Sequence, residues 1–343
     1  MTISGVTVGV YTWKRCGDSV DYPFEIEEIF TAEASGSLRL PRRQAGSSPQ
    51  GLALTLLADY TAYTEAWLPS GALVALLAEA EVSAASARTA ISRLTRRSVL
   101  QGNRVGRSTF YRLAPSVAAH LRAGGRGVVA FGADAEKWDG WWTLVAFSVP
   151  QEGAAQRRAL RNHLRWRGFA PLYDALWVSP RQLEDEDRAN LAEVNLEDLT
   201  VFRARHTELA VGSGRSPIDA WDLRAVGEQY EAFIRHWSEI VPRVRAGGFG
   251  GAQAVRSRTA VMDSYRRFAP ADPPLPMRLL PGGWQREHAR RIFATVYDGL
   301  AETAERHVRA IVADFTATPP RIHANTVADL SAGRVAESVP DLR

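Results

Sequence analysis

The sequence predicts an α+β protein of three modules, and three observations predict it. Apolar residues recur at helical spacing between Leu52 and Leu94, then give way to a strand–turn–strand pattern. Strand and helix signals alternate from Trp142 to Arg203. Long helical patterns then run from Leu223 to Ala313. With 343 residues and 45% hydrophobic content, the chain has the apolar material for two or three domains.

Residues 1–46 carry Ser35-Gly36-Ser37 and Pro41-Arg42-Arg43 and read as a flexible arm. Leu52, Leu56, Leu57 and Tyr60 mark a first helix; Leu73, Leu76 and Leu77 mark a second, with Ser70 as its expected N-cap. Ser83 caps a third helix running to about Arg97, with Ala87, Ala90, Ile91 and Leu94 on its inner face. Val99-Leu100 and Thr109 to Leu113 flank a turn region from Gly102 to Arg107 and read as a β-hairpin. Three short helices and a hairpin are the plan of a winged helix-turn-helix, assigned to residues 47–123.

Gly124-Gly125-Arg126-Gly127 reads as a linker into a module at 124–215. There, strands at Trp142–Val149, Phe169–Tyr173, Ala175–Val178 and Leu199–Arg203 alternate with helices at Ala154–Arg167 and Glu184–Glu193. The order β-α-β-β-α-β is that of a ferredoxin-like α/β sandwich, whose open sheet face is expected to serve dimerisation. A second linker spans Gly212 to Pro217. Helices at about Leu223–Val241, Gln253–Phe268 and Gln285–Ala313 make a C-terminal α-helical domain, 216–315, for effector binding or dimerisation. Residues 316–343, with Pro319-Pro320, are expected to be a flexible tail.

The charge pattern narrows the partner. Net charge is only +4, and 40 of the 42 basic residues are arginine. Val82 to Ala133 holds nine arginines and no Asp or Glu, so the remainder of the chain is net acidic. Such a segment suits either a solvated basic face or a polyanion-binding module. Its coincidence with the third helix and hairpin favours double-stranded DNA. Arg88, Thr89, Ser92, Arg93 and Arg96 share the outer face of that helix, where arginine can pair two donors with a guanine edge. Arg104 and Arg107, near the hairpin tip, are placed for phosphate or minor-groove contact.

Other function classes find little footing. The single Cys16 leaves no internal disulfide and no Cys-rich zinc site. No stretch approaches a membrane span, and the basic pair Lys14-Arg15 follows the apolar start instead of preceding it, so a cytoplasmic location is expected. Gly212-Ser213-Gly214-Arg215-Ser216 lacks the lysine and spacing of a P-loop. The seven histidines do not pair at metal-ligand spacing, and Glu184-Asp185-Glu186-Asp187 reads as a helix start favoured by the dipole. No catalytic residue, metal or cofactor is assigned.

Several blocks, in order, resemble the PaaX-type transcriptional repressors, a family named for control of phenylacetate degradation. Arg88-Thr89-Ala90-Ile91-Ser92-Arg93-Leu94 resembles the family's recognition helix, and Gly106 to Leu113 its wing. Trp138-Asp139-Gly140-Trp141-Trp142 resembles the entry to its middle domain. Ala220-Trp221-Asp222-Leu223 and Asp263-Ser264-Tyr265-Arg266-Arg267 resemble its C-terminal domain. The likeness spans roughly residues 48–315 and leaves the arm outside it.

The resemblance implies a repressor of a catabolic operon, a homodimer on an inverted repeat, released by an aryl- or acyl-CoA thioester such as phenylacetyl-CoA. A thioester needs cations, an aromatic shelf and an apolar slot; Arg256, Arg258, Tyr265, Arg266, Arg267 and Trp284 are the residues assigned to it. The middle domain is similar to metal-dependent nucleases of CRISPR spacer acquisition. Its first strand, however, ends Phe147-Ser148-Val149, without the carboxylate that would anchor a hard cation. A nuclease, or a DNA-binding protein without an effector, is the alternative reading.

Overall fold

The computed structural model describes residues 48–131, 138–148, 153–166, 168–183, 198–207, 215–272 and 275–333. The arm expected over 1–46, the acidic helix expected over 184–193 and residues 212–214 of the second linker lie outside them.

Helix α1 (Pro49–Thr61) begins where Ser48 accepts from the Gly51 N–H at 3.0 Å and Pro49 fills the first helical position. After β1 (Leu68–Pro69) comes α2 (Ser70–Glu79). Its N-cap position falls on Pro69, not on Ser70 as expected; Ser70 is the first helical residue. Helix α3 (Ala84–Arg96) starts with Ser83 accepting from the Ser86 N–H at 3.2 Å. Ser98 (φ 57°), in the left-handed conformation common just past a helix end, closes it. Strands β2 (Leu100–Val105) and β3 (Ser108–Leu113) pair antiparallel, with Val105 opposite Ser108. The turn is therefore only Gly106-Arg107, and Gly106 (φ 60°) supplies the positive φ such a turn requires. β1 adds to the far edge of β3, giving the order β1-β3-β2.

Helix α4 (Pro115–Ala130) replaces the linker expected at Gly124-Gly125-Arg126-Gly127. These residues continue the helix, and a Cβ at Gly125 would sit 3.0 Å from Leu330 Cδ2. The small residues serve close packing here, not chain flexibility.

The middle module comprises β4 (Trp142–Ser148), α5 (Ala154–Trp166), β5 (Ala170–Tyr173), β6 (Leu176–Ser179) and β7 (Asp198–Ala204). The four strands form one antiparallel sheet in the order β5-β6-β4-β7. Alternation along the strands gives the sheet two apolar faces. Val145, Phe147 and Trp177 bury against Leu160 and Leu164 of α5. Trp142, Leu172 and Val178 bury against Leu275 and Leu280. The chain's own later segment thus covers part of the sheet face expected to lie open for dimerisation, while Phe202 of β7, opposite Leu144 on the same face, stays exposed. Trp138 and Trp221 pack on Trp142 at 5.1 and 6.3 Å, adding aromatic area to that seam.

The C-terminal part contains α6 (Leu223–Ser238), α7 (Val241–Arg245), α8 (Gly251–Tyr265), the single turn α9 (Phe268–Ala271), α10 (Arg286–Gly299), α11 (Ala301–Ala313) and α12 (Val327–Ala332). The helix expected over Gln285–Ala313 is two helices meeting at Leu300. A Cβ at Gly299 would sit 2.6 Å from Val244 Cγ1, so this corner has no room for a side chain.

One buried cluster joins Leu57, Leu76 and Leu94 to Val261, Phe293, Val308 and Ile322. The helices at the two ends of the sequence therefore share a core, where separate modules at 47–123 and 216–315 were expected. The tail is the second correction. Ile322, Ala324, Asn325 and Leu330 are buried. The Asn325 N–H donates to Asp59 O and the His323 N–H to Tyr60 O, so residues 322–325 are fixed to α1. Thr326 and Asp329 form a capping box that starts α12.

Candidate nucleic-acid interface and effector residues

Helix α3 sorts its residues cleanly. Ala87, Ala90, Ile91 and Leu94 are buried, and Arg88, Thr89, Ser92, Arg93 and Arg96 are exposed. The Thr89 hydroxyl donates to Ala85 O at 2.9 Å, and the side chain stays exposed. Among the described residues, no carboxylate pairs with Arg88, Arg93, Arg96 or Arg107. Their charge is left to solvent or to a polyanion.

Arg107 is exposed in the hairpin turn, and Arg104 is exposed on β2 with its Nε donating to Gly106 O at 3.3 Å. Two other arginines of the acid-free segment are spent on structure. Arg112 lies over the Trp67 ring at 4.5 Å, and Arg122 donates to Ala62 O at 2.6 Å with Glu65 at 3.6 Å.

The six residues assigned to an effector are all engaged within the fold. Arg256 is half-exposed and donates to Glu79 O at 3.1 Å, with the Glu79 carboxylate at 3.9 Å. Arg266 and Arg267 both hold Asp263, at 2.5 and 2.6 Å. Trp284 donates to Asp272 Oδ2 at 3.2 Å and meets the Tyr230 ring edge-on at 5.8 Å. That carboxylate is held by Arg286 through both oxygens, at 2.6 and 2.8 Å, and accepts from the Tyr230 hydroxyl. Tyr265 is buried, stacked on Phe293 with ring centroids 4.1 Å apart.

Arg258 is fully buried. Its guanidinium donates to Tyr297 O and, at 2.7 Å, to Asn325 O, and lies 3.9 Å from the Tyr297 ring centroid. The Tyr297 hydroxyl in turn donates to Asp59 Oδ1 at 2.7 Å, and Asn325 Nδ2 donates to Ala58 O at 2.9 Å. Burial pushes the Asp59 carboxyl above its ordinary range, opposed by the nearby Arg258 charge and the Tyr297 hydrogen bond. This cluster ties α1 to α8, α10 and the segment before α12. Sequence reasoning missed Asp59, Tyr297 and Asn325; the one local signal was an acid set within the apolar run of α1.

In the middle module, Ser148 ends β4 exposed, with exposed Asp198 as its register partner on β7. Among the described residues, no three His, Cys, Asp or Glu side chains converge as metal ligands. No described helix is long and apolar enough to cross a membrane.

Three family models match the chain in succession. A PaaX-like protein model covers residues 48–117, the PaaX protein central Cas2-like domain 135–213, and the PaaX-like protein C-terminal domain 221–310. The transcriptional repressor PaaX of Escherichia coli (strain K12) is 28% identical over 247 residues, 70% of this chain and 76% of that protein. Among solved structures, the uncharacterized protein Rv0674 from Mycobacterium tuberculosis superposes with a TM-score of 0.51 at 20% identity. The match covers 77% of this chain and 99% of that one. At that identity the likeness speaks to the fold alone.

Proposed function

We propose that this chain, which belongs to the PaaX-type family of transcriptional repressors, represses a catabolic operon by binding double-stranded operator DNA through α3 and the β2–β3 hairpin. The observation that carries this reading is the outer face of α3, cationic, exposed and free of carboxylate partners among the described residues. In this reading residues 49–113 act as a winged helix. Arg88, Thr89, Ser92 and Arg93 face base edges, Arg96 a phosphate, and Arg104 and Arg107 the backbone or minor groove. The protein acts in the cytoplasm as a homodimer on a two-fold operator. The middle module is read as a ferredoxin-like scaffold without enzymatic activity.

Release from DNA is assigned to an aryl- or acyl-CoA thioester, phenylacetyl-CoA being the family's example, contacting the C-terminal helices. Arg256, Arg266 and Arg267, with side chains 45%, 37% and 42% exposed, can exchange their present partners for phosphates. Trp284 offers an aromatic surface. Arg258 and Tyr265 are enclosed and support the site from within.

The test is a gel shift on the upstream intergenic DNA, with and without a panel of CoA thioesters. Specific retention, relieved by one thioester and not by its free acid, is the expected result. Retention that no thioester relieves removes the effector. Equal retention of random DNA removes the operator.

A further inference from the structure

We propose that Glu79, at the end of α2, is the positioning residue through which the C-terminal helices hold α3 for DNA reading, and that an anion taking Arg256 from it loosens that hold. The proposal rests on the reading above, in which α3 reads the operator and Arg256 can meet a thioester phosphate.

Glu79 stands in an unfavourable place for helix stability. The C-terminus of a helix is its negative pole, where a cation stabilises and a carboxylate does not. The last turn of α2, Leu76-Leu77-Ala78-Glu79, carries an acid and no base. The missing cation comes from another helix. The Arg256 guanidinium of α8 donates to Glu79 O at 3.1 Å and lies 3.9 Å from Glu79 Oε2. His307 Nε2 of α11 lies 3.2 Å from the other carboxylate oxygen. His307 is itself pinned: a Cβ at Gly251, the first residue of α8, would sit 2.5 Å from the His307 Cβ. One residue thus joins the unit that carries α3 to α8 and α11.

The link reaches α3 through a stiff turn. The Val82 N–H donates back to Leu77 O at 3.1 Å, Glu81 takes φ 61°, and Ser83 caps α3 directly after. Leu76 and Leu77 of α2 share a core with Ala87 and Ile91 of α3. Close packing therefore carries a shift at the end of α2 into α3. The other end of α2 is held differently. The Phe315 ring, just past α11, covers Gly71, where a Cβ would meet it at 2.5 Å. That contact is apolar, and an anion leaves it in place. Helix α2 has a pivot at Gly71 and a releasable polar contact at Glu79.

Arg256 is the proposed thioester contact suited to that release. Arg266 and Arg267 hold Asp263 of α8, a few residues away, so freeing them moves nothing in the DNA-binding unit. Arg256 reaches α2, and its side chain is 45% exposed. A part-exposed pair at 3.9 Å is weak enough for a phosphate to displace. Linkage makes the coupling reciprocal: operator DNA, which favours the held α3, disfavours the anion.

Fluorescence anisotropy on labelled upstream intergenic DNA and on random DNA, with calorimetry for phenylacetyl-CoA and benzoyl-CoA, tests this. Glu79→Ala removes the carboxylate and suits the end of α2 at least as well, so the fold persists. It should weaken operator binding about fivefold to tenfold, leave random DNA within about twofold, and tighten binding of whichever thioester relieves the unsubstituted chain. One substitution then moves two affinities in opposite directions, which a merely loosened fold does not do. Arg256→Gln should weaken both affinities, and Arg256→Lys, which keeps the cation, should keep operator binding. Glu79→Ala combined with Arg256→Gln should bind operator within about twofold of either single variant, because both cut the same link. Unchanged operator binding in Glu79→Ala, an equal loss on random DNA, weaker thioester binding in that variant, or losses that multiply in the double variant overturn the proposal. Equal retention of operator and random DNA by the unsubstituted chain, or no relief by either thioester, removes instead the reading beneath it, before any variant is measured.

Discussion

Helices α3 and α8 both carry arginines at short spacings, and their fates are opposite. On α3, Arg88, Arg93 and Arg96 stand exposed, without carboxylate partners among the described residues. On α8, Arg258 is fully buried on two backbone carbonyls, and Arg256 reaches across to Glu79. Just past its end, Arg266 and Arg267 share Asp263. The difference comes from what each face meets. Helix α3 projects from a segment without a single acid, over a core of small and branched residues that ends at Leu94. Helix α8 is packed between α10, α11 and α1, where its cations meet carbonyls and carboxylates. Spacing assigns an arginine to a face; the neighbours of that face decide between cohesion and recognition.

The largest expected effect is on the cohesive side. Arg258→Met keeps most of the side-chain volume and removes every donor. It leaves Tyr297 O and Asn325 O without their buried partner, and the Asp59 carboxyl without its nearest cation. A loss of about 3–5 kcal/mol is expected in urea denaturation. A loss below about 1 kcal/mol would mean that water or repacking replaces the guanidinium, and would dissolve the contrast with α3.

On the recognition side, the same chemistry should leave stability alone and change binding. Arg93→Ala should keep the denaturation midpoint and reduce discrimination between operator and random DNA by about 1–3 kcal/mol. Arg107→Ala, at the hairpin turn, should weaken both DNAs alike. It should also lower the slope of log affinity against log salt by about one. Competition gel shifts across a salt series separate the two. Equal losses on both DNAs for Arg93→Ala would remove base reading from α3.

The contrast also explains how much could be read in advance. The burial pattern of α3, the hairpin and the strands of the middle sheet are set by residues adjacent in sequence, at periods of about 3.6 or 2. Both periods were legible. What was not legible depends on partners far away. Asn325 bonds Ala58 across 267 positions, and no local pattern announces it. The proline-bearing segment before it looked like a free tail for that reason. Gly124 to Gly127 looked like a linker because glycine usually breaks helices; packing against Leu330 of α12 overrides that propensity. The α3 arginines stand on a face without acids, and among the described residues no carboxylate pairs with them. The internal contacts of Arg256, Arg258, Arg266 and Arg267 could not be read in advance, because the same residue type serves as internal glue and as ligand contact.

Acidity offers a smaller test of the Arg258 cluster. Burial raises the Asp59 pKa in the folded state. The stability this group contributes is complete below the unfolded carboxylate pKa and is lost as pH rises through the raised folded value. Asp59→Asn keeps an acceptor for the Tyr297 hydroxyl and cannot titrate. As pH rises above the ordinary carboxylate range near about 4, the variant's urea midpoint should therefore gain on that of the unsubstituted chain, until the raised folded value is passed. Midpoints that move in parallel would show that Asp59 has the same pKa folded and unfolded.

The smallest expected effect belongs to an arginine that has a partner but no burial. Arg224 and Glu228 form a 3.0 Å pair one turn apart on α6, with side chains 83% and 62% exposed. Water screens the pair, and two long side chains lose freedom in making it, so the net gain is a few tenths of a kcal/mol. Arg224→Ala should leave the denaturation midpoint within error at physiological salt and shift it slightly at low salt. It should change DNA affinity on neither operator nor random sequence. This variant separates pairing from burial: Arg258 is both paired and buried, Arg93 is neither among the described residues, and Arg224 is paired only. If Arg224→Ala costs as much as Arg258→Met, pairing alone stabilises this fold, and enclosure is not what distinguishes α8 from α3.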